Sequence, residues 1–178
     1  SYDLFNSYDT DDMRYRQTYQ ITSSSKPHFL KGYDIAALNQ NLAGPNVILL
    51  RSADAYLMLA EAYNELGAPD KAVFFLNLVR SRAGVPELEA SDCTSEMSIL
   101  DWVRAERRNE LFMEGHRYYD LRRWVIADQY LAAGMREGLD SFVSKTIDPT
   151  LEQFNTRVKV DGDYAWHNRL YLLPVDGN

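Results

Sequence analysis

The stretch RSADAYLMLAEAYNELGAPDKAVFFLNLVRSRAG, residues 51–84, constrains the fold most, because its apolar residues recur every three or four positions. This spacing predicts two successive helices. Gly67 stands where the first helix should end, and Pro69 stands in the first turn of the second, where its missing N–H costs nothing. A connection of two or three residues makes the two helices run antiparallel. The chain is therefore predicted to be built on a helical hairpin.

This hairpin fits the helix-turn-helix unit of about 34 residues known as the tetratricopeptide repeat. Small, aromatic and aliphatic residues fall near the signature positions of the repeat: Tyr56, Leu59, Ala60, Tyr63, Gly67, Ala72, Leu76 and Gly84. An unrelated helical hairpin is the alternative. We favour the repeat, and we predict a mostly α fold with tetratricopeptide-repeat-like hairpins, irregular loops and a small β-hairpin.

The chain divides into three parts of one predicted domain. Residues 1–45 are polar and rich in Tyr, Asp, Asn and Ser, which predicts a loop-rich segment. Residues 46–127 form the helical scaffold, with a third helix at roughly 96–114 and a fourth after Gly115. Residues 128–178 lose the helical pattern and are predicted to form loops and the β-hairpin.

The sequence RVKVDGDYAW alternates between apolar and polar residues on both sides of Asp161–Gly162. An Asp-Gly pair between alternating segments predicts a β-hairpin with a two-residue turn. At the start of the third helix, Thr94 or Ser95 is the predicted N-terminal cap.

Bulk composition excludes several functional classes. The 178 residues are 46% hydrophobic and 25% charged, which is typical of a globular domain, and no apolar run approaches the roughly 18 residues of a membrane helix. The net charge of −7 disfavours nucleic acid as a partner. Cys93 is the only cysteine in the sequence, so an internal disulfide is excluded. Because the chain starts SYDLF without Met, we expect it to be a piece of a longer protein.

The densest group of ionisable residues lies at 106–124, ERRNELFMEGHRYYDLRRW, with five arginines and four carboxylates. A metal site is not predicted there, because His116 follows Glu114 by two residues, about 200° round a helix, and lies beyond Gly115. The sequence also lacks an HExxH motif and a cysteine pair. We expect neither a metal nor another cofactor.

Catalysis and nucleic-acid binding are also disfavoured for this stretch. Glu106, Glu110 and Glu114 lie along one line of one helix, whereas the paired carboxylates of glycosidases face each other across a cleft, about 5–10 Å apart. No catalytic residue is therefore predicted. The carboxylates interleave with the arginines, so the stretch lacks the uncompensated positive charge that binds phosphates.

A structural role explains the pattern better. Like charges at i,i+4 destabilise an isolated helix, so the three glutamates are expected to meet opposite charges from neighbouring helices. We predict an inter-helix network of arginines and carboxylates, because the planar guanidinium engages a carboxylate through two parallel hydrogen bonds. The predicted cations are Arg80 and Arg82 at the end of the second helix, and Arg117, Arg122 and Arg123 after Gly115.

Four stretches, in order, resemble the carboxy-terminal half of the SusD/RagB family: LLRSADAYLMLAEAYNELG, AVFFLNLVRSRAGV, ERRNELFMEGHRYYDLRRW and YLLPV. DTDDMR at 9–14 also looks like the D-x-R element of the family. One departure is Val175 and Asp176, which stand where the family usually has Ile-Pro. The resemblance implies that a set of residues belongs to a structural motif of the scaffold: Glu106, Arg107, Glu110, Glu114, Gly115, His116, Arg117, Asp120, Arg122 and Arg123.

The resemblance also implies a function. SusD-like proteins are cell-surface lipoproteins of the outer membrane of Bacteroidota that bind glycans or other nutrients without chemical conversion. Their partner is a TonB-dependent transporter of the SusC type. The alternatives are a helical-repeat module for protein–protein interaction and, more distantly, an all-α glycan-processing enzyme. The resemblance implies that the lipid-bearing cysteine and most sugar-stacking aromatics of the family lie upstream of residue 1. Cys93 is internal and is therefore not expected to be the lipidation site.

Five aromatic residues of this chain are candidates for ligand binding, since aromatic faces stack on the apolar C–H surface of sugar rings. Three lie near the start and two lie in the predicted hairpin: Tyr2, Phe5, Tyr8, Tyr164 and Trp166. The alternative is that these side chains pack onto the scaffold.

Overall fold

The computed structural model describes residues 4, 7–8, 11–21, 27–29, 31–32, 48–131, 137–139 and 157–159. This part of the chain is mostly helical, which confirms the predicted fold class. Its elements in chain order are α1 (Met13–Thr18), β1 (Tyr19–Ile21), β2 (Pro27–Phe29), α2 (Ser52–Glu65), α3 (Pro69–Ala83), a 3-10 turn (Ala90–Asp92), α4 (Ile99–Glu110), α5 (His116–Arg123), α6 (Ala127–Leu131), β3 (Glu137–Leu139) and β4 (Arg157–Lys159).

Helices α2 and α3 form the predicted hairpin. The turn contains Gly67, whose φ of 68° is left-handed, and its N–H donates to the carbonyl of Asn64 at 3.0 Å. Pro69 is the first residue of α3, as the sequence predicts. The facing sides of the two helices are fully buried at Leu57 and Leu76, and small residues let the helices approach each other.

Helix α4 covers the hairpin and completes the hydrophobic core. Val103 of α4 is fully buried in the cluster that the hairpin begins, with Leu111 just beyond the end of the helix. The core consists of Ala53, Leu57, Ala60, Leu76, Val79, Leu88, Val103 and Leu111. Burying these side chains is the main source of stability for the three-helix unit.

The N-terminal cap of α4 differs from the prediction. The cap is Ser98, whose hydroxyl accepts a hydrogen bond from the backbone N–H of Asp101 at 3.2 Å, while the Asp101 carboxylate accepts from the N–H of Ser98 at 3.2 Å. This reciprocal pair satisfies two N–H groups that the helix leaves without partners. Thr94 instead accepts from the N–H of Met97 at 3.1 Å and closes a turn before the helix.

Gly115 separates α4 from α5, as the sequence predicts. Helix α4 spans Ile99–Glu110, so it is shorter than the predicted 96–114 and ends about four residues early. A turn follows, and Gly115 takes up a φ of 84° before α5 begins at His116. This left-handed conformation is strained for a residue with a Cβ atom. The turn reverses the chain, so that Asp120 of α5 returns to α4.

Replacing Gly115 by alanine should lower the free energy of unfolding by about 1–2 kcal/mol, the cost of a left-handed residue with a Cβ atom. The penalty comes from the backbone alone, because a Cβ built here meets no described atom within 4 Å. Asparagine tolerates this conformation better, so Gly115→Asn should cost less than Gly115→Ala. Urea denaturation checks both variants. An alanine variant as stable as the wild type would contradict this account.

Two short antiparallel strand pairs flank the helices. Strand β1 pairs with β2, and β3 pairs with β4 in the register Glu137 to Lys159. Arg157–Lys159 begins the segment in which a hairpin is predicted. The turn at Asp161–Gly162 and the second strand of that hairpin lie outside the described residues. The boundaries predicted near residues 45 and 127 remain predictions.

Candidate functional site

Three glutamates of the family motif, here called the acidic ladder, have side chains that are at most 3% exposed: Glu106 and Glu110 on α4, and Glu114 in the turn after it. Glu106 is 3% exposed and Glu110 is 2% exposed. The spacing of four residues between Glu106 and Glu110 places their carboxylates about one helical turn apart. Buried charges of one sign must be paired or they would destabilise the fold.

Glu110 is the centre of the acidic ladder, because three guanidinium groups converge on its carboxylate. Arg51 and Arg82 both donate to Oε1, and Arg14 donates to Oε2 at 3.0 Å. Arg51 precedes α2, Arg82 ends α3 and Arg14 lies in α1. The carboxylate of Glu110 therefore joins three separate segments to α4.

The other two carboxylates share these cations. Glu106 accepts from Arg14 and, at 3.2 Å, from Arg80 of α3. Glu114 accepts from Nε of Arg51 at 2.7 Å and lies 2.6 Å from Nζ of Lys31. The acidic ladder thus holds both ends of the hairpin and two segments that precede it.

Asp12 orients Arg14 from the same segment. Its carboxylate accepts from Nε of Arg14 at 2.9 Å and from Nη2 at 2.7 Å, and both residues are buried. Burial alone would lower the pKa of Arg14, but the hydrogen bonds and charges of Asp12 and Glu106 outweigh it and raise that pKa. Arg14 is therefore a fixed cation, as a structural partner of two buried glutamates must be.

A second ion-pair cluster lies on the other side of α4. Arg107 donates to Asp54 of α2 at 2.8 Å and to Asp120 of α5 at 2.9 Å, and all three residues are buried. Arg123 also donates to Asp120 at 2.9 Å and reaches Glu61 of α2 at 2.7 Å. Arg107 thus joins α2 to α5 across the Gly115 turn.

The remaining motif residues of α5, His116, Arg117 and Arg122, are half-buried. Arg117 is stacked over the ring of Tyr130 at 5.0 Å, and Arg122 donates to the Tyr118 hydroxyl at 3.3 Å. His116 is half-buried and lines a cleft of about 540 Å³ together with Asp120. Of the five cations proposed for the network, Arg80 and Arg82 contact the acidic ladder, and Arg123 contacts Asp120 and Glu61.

The predicted network lacks three partners of the acidic ladder that the structure shows: Arg14, Lys31 and Arg51. Arg14 could have been found, because it stands two residues after Asp12 in the D-x-R element. Arg51 could also have been found, since it is a charged residue directly after the apolar run NVILL. Lys31 lies in a polar stretch with no periodicity, and nothing local points to its contact with Glu114.

One candidate aromatic residue can be placed. Tyr8 is 8% exposed, its hydroxyl donates to the carbonyl of Asn109 at 2.8 Å, and its ring meets the edge of Tyr15 at 6.4 Å between centroids. This burial favours the packing alternative for Tyr8. The other four candidates, Tyr2, Phe5, Tyr164 and Trp166, lie outside the described residues.

The described residues contain neither a metal-binding cluster nor a helix that could span a membrane. Within this part of the chain, no group of three or more His, Cys, Asp or Glu side chains is arranged to hold a metal ion. The helices of the same part are each too short or too polar to cross a membrane.

The environment of Glu114 makes stability depend on pH. Burial raises its pKa, but the hydrogen bonds from Arg51 and Lys31 outweigh burial, so the pKa lies below its ordinary value of 4.5. A carboxyl with a lowered pKa in the native state adds stability above its unfolded-state pKa of about 4.3, and that stability is lost as the pH falls through the native pKa.

Glu114→Gln should therefore lower the melting temperature at pH 7, and the gap from the wild type should narrow below about pH 4.3. Thermal unfolding followed by circular dichroism between pH 7 and pH 3 measures this gap. Glu96→Gln, at an exposed carboxylate, is the control and should show a small gap throughout. A gap for Glu114→Gln that stays constant or widens in acid would contradict the assignment.

Sequence comparison decides the family. The profile of the SusD family matches residues 4–178. The chain belongs to the SusD family. This membership confirms the resemblance that the ERRNELFMEGHRYYDLRRW motif carries. SusD-like protein P2 of Formosa agariphila is 30% identical over 170 residues, which is 90% of this chain and 29% of P2.

Two solved structures share the fold of this chain. BT4246 is 45% identical with a TM-score of 0.62, and the match covers 73% of this chain and 21% of that structure. A SusD-like protein from Bacteroides fragilis is 36% identical with a TM-score of 0.58, covering 72% of this chain and 22% of that structure. The chain spans less than a third of the length of P2 and of each of these two structures.

Proposed function

We propose that the SusD-family protein to which this chain corresponds binds a glycan or related nutrient at the outer-membrane surface. The ligand is not converted chemically, and it is delivered to a TonB-dependent transporter of the SusC type. The protein is a cell-surface lipoprotein of a member of the Bacteroidota. The observation that carries the proposal is the match of nearly the whole chain to the SusD family.

The chemistry of the motif supports a role without catalysis. A general acid or base must reach the substrate and exchange a proton with it. Glu106 and Glu110 are buried and each accepts hydrogen bonds from two or more arginines. Carboxylates held in this way position helices, so the motif acts as scaffold for a ligand site elsewhere in the protein.

Ligand contact is assigned to aromatic side chains. Tyr2, Phe5, Tyr164 and Trp166 remain the proposed candidates in this chain. Tyr8 is a weaker candidate because its side chain is buried. Stacking of a sugar face on an aromatic ring supplies affinity without requiring a charged partner.

Binding and turnover of glycans by the intact protein test the proposal. Isothermal titration against a panel of oligosaccharides should give saturable binding, and chromatography of the same mixtures should show unchanged oligosaccharide. Release of shorter products would overturn the non-catalytic assignment and favour the glycan-processing alternative. Co-purification with a SusC-like transporter encoded beside it should be retained after detergent extraction of the outer membrane.

A protein-interaction module without its own ligand is the second candidate. The observation that favours it is the exposed apolar surface of the hairpin, where Leu66 is 77% exposed and Phe74 is 58% exposed. This candidate predicts co-purification with a protein partner and no binding across the oligosaccharide panel. Saturable oligosaccharide binding would exclude it.

A further inference from the structure

The outer side of α5 carries side chains that lie outside both ion-pair clusters. This surface, here called the α5 face, consists of Tyr118, Tyr119 and Arg122 on the helix and Val125 just beyond its end. Tyr119 is 64% exposed, Val125 is 67% exposed, and Tyr118 is also exposed. The three helical side chains lie on the opposite side of α5 from its buried residues, Asp120 and Leu121. The α5 face is therefore turned away from the core.

Contacts within the α5 face order its side chains. The rings of Tyr118 and Tyr119 meet edge to face, with 5.5 Å between their centroids. The guanidinium of Arg122 lies over the Tyr118 ring at 5.2 Å and donates to the Tyr118 hydroxyl at 3.3 Å. Side chains that are ordered before binding lose less conformational entropy on association. Tyr and Arg are also the residue types that dominate the energetics of protein interfaces.

Val125 holds a backbone conformation that β-branched residues rarely adopt. Its φ is 57°, and its N–H donates to the carbonyl of Arg122 at 3.0 Å where the helix ends. Glycine is the usual residue at such a helix end, because a Cβ atom strains the left-handed conformation. The exposed valine side chain gains little from burial in the described part of the chain. Strain without a local benefit points to a contact made outside this part of the structure.

The charge of α5 indicates the class of partner. Its eight residues, HRYYDLRR, include three arginines and a single carboxylate, Asp120, which is buried and paired with Arg107 and Arg123. Burial and the neighbouring charge of Arg108 lower the pKa of Arg117, so the helix lies in a region of positive potential. The whole chain has a net charge of −7, which disfavours a second copy as the partner. The α5 face complements an acidic surface of a different protein.

We propose that the α5 face docks an acidic, amphipathic segment of a partner protein. Tyr119 and Val125 are the apolar contacts, and the arginines of α5 supply the positive charge. The surface is separate from the exposed hairpin residues Leu66 and Phe74. The proposal goes beyond the nutrient binding proposed above and does not depend on it.

A fluorescein-labelled peptide of sequence Glu-Leu-Glu-Glu-Leu-Glu is the probe of the α5 face, and fluorescence anisotropy measures its binding to the chain. The peptide should bind saturably in about 0.1 M salt. It should bind at least about threefold more weakly in about 1 M salt, where the Debye length falls from about 10 Å to about 3 Å. A matched peptide with Gln in place of each Glu should also bind at least about threefold more weakly. No saturable binding, or equal binding of the two peptides, would overturn the proposal.

Two variants at left-handed residues separate contact from strain. Val125→Gly should raise the melting temperature by about 2–4 °C, because it removes the strained Cβ atom. The same variant should raise the dissociation constant of the acidic peptide at least about threefold, because an apolar contact is lost. Met113→Gly is the matched control: Met113 is exposed, has a φ of 66° and lies at the other end of α5. It should raise the melting temperature similarly and leave the dissociation constant unchanged. An unchanged constant in Val125→Gly, or equal weakening by both variants, would contradict the contact.

Two aromatic variants locate the surface. Tyr119→Ala should raise the dissociation constant of the acidic peptide at least about tenfold, as expected for a truncated aromatic residue in the centre of an interface. Phe74→Ala, at a similarly exposed aromatic residue of the hairpin, should leave that constant unchanged. A loss of affinity in Phe74→Ala as large as that in Tyr119→Ala would place the peptide elsewhere and contradict the proposal.

Discussion

Replacing Arg107 by methionine should lower the free energy of unfolding by about 3–5 kcal/mol, the usual cost of breaking a buried ion pair by removing one partner. Arg107 is 4% exposed and donates to two buried carboxylates, those of Asp54 and Asp120. Asp120 keeps Arg123 as a partner, but Asp54 is left buried without the Arg107 guanidinium. Urea denaturation of the chain measures the loss.

The matched control is Arg104→Met, which makes the same change three residues earlier on the same helix. The side chain of Arg104 is partly exposed, and Asp101 lies 3.7 Å away in a weak i,i+3 pair. Its loss should cost at most about 1 kcal/mol, as for surface ion pairs generally. Equal losses in the two variants would show that Arg107 does not join α2 to α5 in the way described.

Replacing Glu110 by glutamine should have a similarly large effect, again about 3–5 kcal/mol, because it removes one partner from a buried charge network. Three arginines converge on this carboxylate, and the glutamine amide would turn an N–H donor toward at least one of them. The melting temperature should fall, and the urea midpoint should fall with it. Glu96→Gln, at an exposed carboxylate, is the control and should be nearly neutral.

Local patterns determined the parts of the fold that could be predicted. The three-four spacing, Gly67 and Pro69 predicted the hairpin, and Gly115 predicted the break between α4 and α5. The cap of α4 was predicted three or four residues too early, although Ser98 followed by Asp101 at the third position is the pattern of a reciprocal cap. The cap was predicted at Thr94 or Ser95 because their hydroxyls can also cap a helix, although the Ser98–Asp101 pattern is present in the sequence.

The partners of the acidic ladder could be predicted only in part. Arg80 and Arg82 lie at the end of a helix that must pack beside α4. The predicted helices therefore already placed these two arginines close to the acidic ladder. Arg14 lies 96 positions from Glu110 and Lys31 lies 79 positions from it, and no periodicity fixes contacts across such separations. A carboxylate on the core face of a helix predicts a partner more strongly, because a buried charge must be paired. Asp54 lies on the core side of α2, and its partner is Arg107.

We propose that the ERRNELFMEGHRYYDLRRW motif holds the scaffold together and does not bind the ligand. Both properties are measured on one variant of the intact protein, Glu110→Gln, by titration calorimetry with a glycan that the wild type binds and by thermal unfolding. The calorimetry is carried out well below the melting temperature of the variant. We expect the Glu110→Gln variant to have a lower melting temperature and an unchanged glycan affinity. A large loss of affinity with an unchanged melting temperature would contradict it.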